Sequence, residues 1–141
     1  MFGPIKSYAL CRAAGLGVVM GLFGAAACAA NLRDETAISE RILTVGIADI
    51  IRNECPSIRA RMLRAVFYVT ATERMARKLG YSQAEVDAYV DDDVEKDRLR
   101  GIGHARLAEW GAVPGQPETY CTVGRDQIAA KTEIGKLLKA N

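Results

Sequence analysis

Acidic residues cluster in one segment of this 141-residue sequence and could ligate a metal ion. Asp91, Asp92 and Asp93 are followed by Glu95 and Asp97, and carboxylate oxygens are the ligands that Ca²⁺ prefers. A helix-loop-helix calcium site also needs a glycine at its turn, which this segment lacks. Val94, within the segment, occupies a predicted helical core position instead. Acids in the first half of a helix are favoured by its dipole. The sequence therefore predicts a solvated helix start, with no metal site and no cofactor.

The sequence contains a single histidine, His104, and histidine is the side chain that most often serves as a general base. A general base needs an orienting partner and a nucleophile, and the spacing supplies neither. The sequence also lacks a nucleophile elbow and a glycine-rich phosphate loop. A small cell-envelope hydrolase that uses His104 and scattered carboxylates is the alternative hypothesis. The preferred one is a binding or stress-protective module that is not an enzyme.

Arginines provide the one positive prediction of a site. A helical hairpin about Gly80-Tyr81-Ser82 would place two basic segments level with each other at its far end. The predicted basic pole consists of Arg59, Arg61, Arg64, Arg98 and Arg100. Guanidinium groups match carboxylates and phosphates, so the expected partner is an anionic protein surface or a lipid headgroup in the envelope. The alternative is that these arginines extend into solvent or pair with acids such as Asp34 and Glu35.

The first thirty residues have the three-part layout of a secretory signal peptide. Lys6 and Arg12 precede an apolar run, and small residues follow, so cleavage is expected after Ala29 or Ala30. A membrane anchor is disfavoured because the run is glycine-broken and short for a span. Lipidation at Cys28 is a further alternative, although Ala25 stands where lipoprotein signals usually carry a leucine-like residue. The prediction is a periplasmic protein with no transmembrane segment after processing.

The charge and the cysteine content of residues 31–141 limit the classes of function that these residues could have. The first thirty residues hold two of the 19 basic residues and none of the 17 acidic ones, so the remainder carries 17 of each. A nucleic-acid-binding protein is expected to show a basic surplus, so that class is disfavoured. Cys55 and Cys121 remain after processing. Two cysteines in an exported chain are expected to form a disulfide.

Apolar periodicity predicts one all-α domain over residues 31–141, built on a central helical hairpin, with four or five helices and no strand. The first helix is predicted over 31–53, and the central one begins at Pro56 and ends near Gly80. Because the second helix is apolar on two sides, Phe67 is expected to be buried. Ser82-Gln83-Ala84-Glu85 fits a capping box for the third helix, and glycines predict a kink at 101–103. Further helices are expected after Pro117 and Thr132.

Several short motifs are similar to those of an uncharacterised family of small exported alphaproteobacterial proteins, recorded as a domain of unknown function. The motifs are Leu79-Gly80-Tyr81-Ser82, Ala88-Tyr89-Val90-Asp91-Asp92, Tyr120-Cys121 with Gly124, and Ile134-Gly135-Lys136-Leu137-Leu138. The resemblance implies export and a helical fold for most of the chain after the signal peptide. It implies no activity and no catalytic residue.

Overall fold

The structure is a computed structural model, and it describes residues 31–141. The predicted signal peptide, with Cys28 and the cleavage site, lies outside these residues. The described part forms a single compact all-α domain, as the sequence predicts. After a short 3₁₀ turn at Leu32–Asp34 it contains α1 Thr36–Glu54, β1 Ile58–Ala60, α2 Met62–Lys78, α3 Gln83–Asp91, α4 Asp93–Glu109, α5 Pro117–Ala129, α6 Glu133–Lys136 and β2 Leu138–Ala140. No helix in this part of the chain is long and apolar enough to cross a membrane.

Helix α1 lies at the centre of the domain. It packs against α2, α4, α5, α6 and strand β1, and Leu43, Ile47 and Ile51 are buried beneath these neighbours. The sequence predicts that the second helix, α2, lies at the centre of the domain. That prediction is wrong, because α2 packs on α1 along one side only. Phe67 is 72% exposed, so its predicted burial is wrong as well.

Strands β1 and β2 form a small antiparallel ribbon that the sequence does not predict. Ile58 pairs with Ala140, and Ala60 pairs with Leu138. The backbone N–H of Arg61 donates to the carbonyl of Leu137, 2.7 Å away. The second helix therefore starts at Met62 and not at Pro56, because residues 58–61 form hydrogen bonds to the C-terminal segment.

Helices α3 and α4 meet at Asp92, where the sequence predicts one helix. Ser82 and Glu85 form the predicted capping box at the start of α3. Asp92 then accepts a hydrogen bond from the backbone N–H of Glu95 and so caps α4, which runs unbroken through Gly101 and Gly103. The predicted kink is thus absent from α4, and the break lies about ten residues earlier. Val94 is 77% exposed rather than part of the core.

A disulfide joins Cys55, at the end of α1, to Cys121 in α5, as predicted. Both cysteines belong to the main hydrophobic core, together with Ile51 and Ile58. Gly124 lies against the same two isoleucines, since a Cβ at this position would be 2.4 Å from Cδ1 of Ile58. Pro117 begins α5 and Thr132 caps α6, which confirms those two predictions.

Candidate functional site

An open apolar groove of about 390 Å³ lies over the solvent side of α1, and we call it the α1 groove. Helices α2 and α4 supply its walls, and α3 lines the end near the start of α1. Its apolar lining includes Ile42, Val45, Ile50, Val69, Val86 and Leu99. The volume falls within the range of sites that bind small molecules, about 300–1,000 Å³.

Gly46 gives the groove part of its depth. This residue lies within α1 on the groove floor and is exposed, and a Cβ built on it would meet no atom within 4 Å. Any larger side chain here would project into open space. The sequence does not predict the groove, and this glycine alone does not indicate one.

Polar groups of the groove wall bind one another. The Nε of Arg41 donates to the hydroxyl of Thr72 at 2.8 Å, and that hydroxyl donates to the backbone carbonyl of Tyr68 at 2.9 Å. The Arg41 guanidinium also stacks 4.0 Å from the centre of the Tyr68 ring. The Thr72 hydroxyl is thus fully used, whereas Arg41, which also lines the groove, forms no ion pair within residues 31–141.

Glu95 forms a buried carboxylate network at the α3–α4 end of the groove. Its side chain is 7% exposed and accepts hydrogen bonds from the Arg98 guanidinium, one of them 2.9 Å from Nε to Oε2. The Tyr89 hydroxyl donates to Glu95 at 2.8 Å, and Arg33 lies nearby as a second cation. The bond from Arg98 is the main reason that the pKa of Glu95 lies below its usual value, while burial opposes it. Glu95 is therefore held as an ionised structural group.

Besides Arg41 and the buried Glu95, four charged residues line the groove, and we place its opening among them. Lys96 and Arg100 lie on the α4 wall, one turn apart, whereas Asp49 and Glu73 lie on α1 and α2. Lys96 and Arg100 each pair with an acid three residues earlier on the same helix, and these pairs are largely exposed. Exposed pairs of this kind are worth only about 0–1 kcal/mol, so either cation can turn toward a ligand.

A second surface follows the solvent side of α2, and we call it the α2 face. Its N-terminal half exposes large apolar side chains: Met62 (64%), Leu63 (78%), Val66 (57%) and Phe67 (72%). Its basic residues are Arg64, Arg74, Arg77 and Lys78. Residues 59–78 hold six basic residues and one acidic residue, a net charge of +5 in a domain that is neutral over residues 31–141.

The arginines of the predicted basic pole fall into two groups. Arg59 is exposed on β1, and Arg64 belongs to the α2 face. Arg61 donates through Nε to the carbonyl of Leu138 at 2.9 Å and so fastens β2. On α4, Arg98 binds Glu95 and Arg100 binds Asp97. Within residues 31–141, the first group forms no ion pair, whereas both members of the second do.

The other residues considered from the sequence do not converge on a reactive centre. His104 is exposed on α4 and does not line the α1 groove. Asp91, Asp92 and Asp93 are exposed at the α3–α4 junction. Over residues 31–141, no group of three or more His, Cys, Asp or Glu side chains is arranged to hold a metal ion.

These features define a small all-α domain with one disulfide, an apolar groove and a cationic, partly apolar helix face. A sequence profile for a family of unknown function, DUF5333, matches residues 30–139, and the chain belongs to that family. No curated protein and no solved structure is significantly similar to the chain.

Proposed function

We propose that this protein is an exported binding protein that docks on an anionic lipid surface through the α2 face. The observation that carries the proposal is the exposure of four large apolar side chains on one helix, beside cations that form no ion pair within residues 31–141. Export is supported by the signal-peptide pattern of residues 1–30 and by the disulfide, which is typical of oxidising compartments. The partner class is the lipid headgroup, one of the two partners considered from the sequence.

Composition of the α2 face favours a lipid surface. Helices that lie in a membrane interface combine basic residues with Leu, Phe or Trp, and the α2 face has Leu63 and Phe67 next to Arg64 and Arg74. Each basic residue near an anionic leaflet contributes about 1 kcal/mol. Burial of each large apolar side chain adds about 1.5–3 kcal/mol.

Charge disfavours the alternative that two copies pair through their α2 faces. Across a two-fold axis, basic residues of one α2 face would approach basic residues of the other, because Glu73 is the only acid between residues 59 and 78. Like charges at such an interface oppose association. An anionic surface would instead be attracted by the same residues, and salt would weaken that attraction.

Vesicle co-sedimentation tests the proposal. The protein should sediment with vesicles that contain phosphatidylglycerol, less with purely zwitterionic vesicles, and less as salt rises. Arg64→Glu/Arg74→Glu should reduce partitioning at least about thirtyfold, which corresponds to the loss of about 2 kcal/mol from two basic residues. Arg61 and Arg98 are left intact because they bind Leu138 and Glu95.

Apolar contacts are tested separately by Leu63→Ala/Phe67→Ala, which should reduce partitioning by tenfold or more. This variant should lose less than about 1 kcal/mol of stability in urea, because both side chains are exposed. The matched controls are Val94→Ala and Arg125→Glu, exposed residues of α4 and α5 outside the α2 face. The proposal would be overturned if the parent bound both vesicle types equally, or if both α2-face variants bound vesicles as well as the parent does. Capture of an acidic protein without vesicle binding would also overturn it.

A further inference from the structure

We propose that the α1 groove binds the acyl chain of a fatty acid, with its carboxylate at the opening beside Lys96 and Arg100. This inference concerns a different surface from the α2 face and goes beyond docking on lipid. A single fatty-acid molecule would occupy the groove, so its binding can be measured in solution without vesicles.

Chemistry of the groove lining favours a hydrocarbon chain. The wall hydroxyls and carboxylate already bind protein groups: Thr72 binds Arg41 and Tyr68, and Tyr89 binds Glu95. No buried side-chain nitrogen or oxygen in residues 31–141 lacks a hydrogen-bond partner. Apart from Arg41, the lining therefore offers few side-chain partners to replace the hydrogen bonds to water that a polar ligand body would lose, which costs free energy. A hydrocarbon chain forms no hydrogen bonds to water, so it loses none when it enters the groove.

A peptide helix is the other occupant to consider, since an amphipathic helix lays one apolar face into such a groove and keeps its other face in solvent. The charges favour a fatty acid instead, because a single carboxylate is matched by two successive cations on one wall. A flexible hydrocarbon chain can also follow the space over Gly46 without a matching width.

Charge at the opening places the carboxylate on the α4 side. Lys96 and Arg100 are successive cations on that wall, and their own partners, Asp93 and Asp97, are 93% and 76% exposed. Such weakly held cations are free to bind a ligand carboxylate, which an arginine fork matches in shape. On the other sides of the opening lie Glu73 and Asp49, of which Asp49 already pairs with Arg52, so Glu73 is the acid that most disfavours a carboxylate there.

Fatty-acid binding is measured by displacement of a polyene fatty acid whose fluorescence rises in apolar surroundings. Across octanoate, decanoate, dodecanoate and hexadecanoate, affinity should rise by up to about fourfold per methylene and level off once the groove is full. Dodecanoate should bind more tightly than dodecanol, and Lys96→Gln/Arg100→Gln should remove that preference. Affinity that does not depend on chain length, or equal binding of the alcohol and the acid by the parent, would overturn the inference.

Two glycines allow a matched test of the binding place. Gly46→Trp fills the groove floor and should weaken dodecanoate binding at least tenfold. Gly101→Trp is the control, since Gly101 is also an exposed helical glycine with no atom within 4 Å of a built Cβ, but it does not line the groove. Gly46→Leu repeats the test with a smaller group if Gly46→Trp melts early.

Binding by Gly46→Leu or Gly46→Trp at the parent's affinity would contradict the inference. The Arg64→Glu/Arg74→Glu variant should keep its fatty-acid affinity, because neither arginine lines the groove. Failure of vesicle binding and failure of groove binding are thus distinguishable.

Discussion

Removal of the Cys55–Cys121 disulfide should destabilise the domain by about 4 kcal/mol. The two cysteines are separated by 66 positions in the sequence, and the chain-entropy relation gives about 4 kcal/mol for a closed loop of that length. Because domains of this size are stable by about 5–15 kcal/mol, the loss is a large part of the total. The bond joins the end of α1 to α5, so it fixes the two helices that bury the main core.

Urea unfolding of the parent and of Cys55→Ala/Cys121→Ala measures this loss. The variant should unfold at a lower urea midpoint, and its m-value should rise because the unfolded chain is no longer cross-linked. Thr122→Ala, an exposed change beside Cys121, controls for substitution in α5. A loss below about 1 kcal/mol, or alkylation of both cysteines in the native, non-reduced protein, would refute the reasoning.

Two further predictions concern packing and acid stability. Gly124→Ala should lose about 1–3 kcal/mol in urea, because its Cβ would overlap buried Ile51 and Ile58, whereas Gly101→Ala should gain about 0.5–1 kcal/mol; equal stability of the two would contradict the packing. Since the folded pKa of Glu95 lies below its unfolded value of about 4.3, Glu95 contributes stability above that pH and loses it as the pH falls through the folded pKa. Glu95→Gln should therefore be about 1–3 kcal/mol less stable near neutral pH, with a difference that shrinks below about pH 4. A pH-independent difference would contradict this role.

Local signals in the sequence were sufficient where a few neighbouring residues determine the structure. The Ser82–Glu85 capping box and the start of α5 at Pro117 are examples. The disulfide was also predictable, because residues 31–141 contain only two cysteines and so allow only one pairing among themselves.

Long-range pairing explains what sequence periodicity missed. Ile58 and Ala140 pair across most of the domain, and three-residue strands leave no alternating pattern to detect. Gly103 was interpreted as a helix breaker, yet it lets α4 approach α1, since a Cβ there would be 3.2 Å from Cδ1 of Ile50. The choice of α2 as the central helix failed because its second apolar side, with Leu63 and Phe67, is exposed.

The candidate surfaces were only partly predictable for the same reason. Arg59 and Arg64 are exposed and form no ion pair within residues 31–141, and their binding of an anionic partner stays a prediction. Arg98 was assigned to the same pole from the geometry of a hairpin, but in the structure it binds Glu95, the acid three residues earlier. The α1 groove needs the relative placement of four helices, which no local pattern of the sequence specifies.

The most direct test of the central claim is tryptophan fluorescence at position 67 of the α2 face. Phe67→Trp is combined with Trp110→Phe, so that the only tryptophan of residues 31–141 reports from the centre of the exposed apolar residues. On addition of phosphatidylglycerol vesicles, its emission should shift to the blue as the side chain enters the lipid interface, and high salt should reverse the shift. Emission that remains that of a water-exposed tryptophan while vesicles are in excess would contradict the claim that the α2 face docks on lipid.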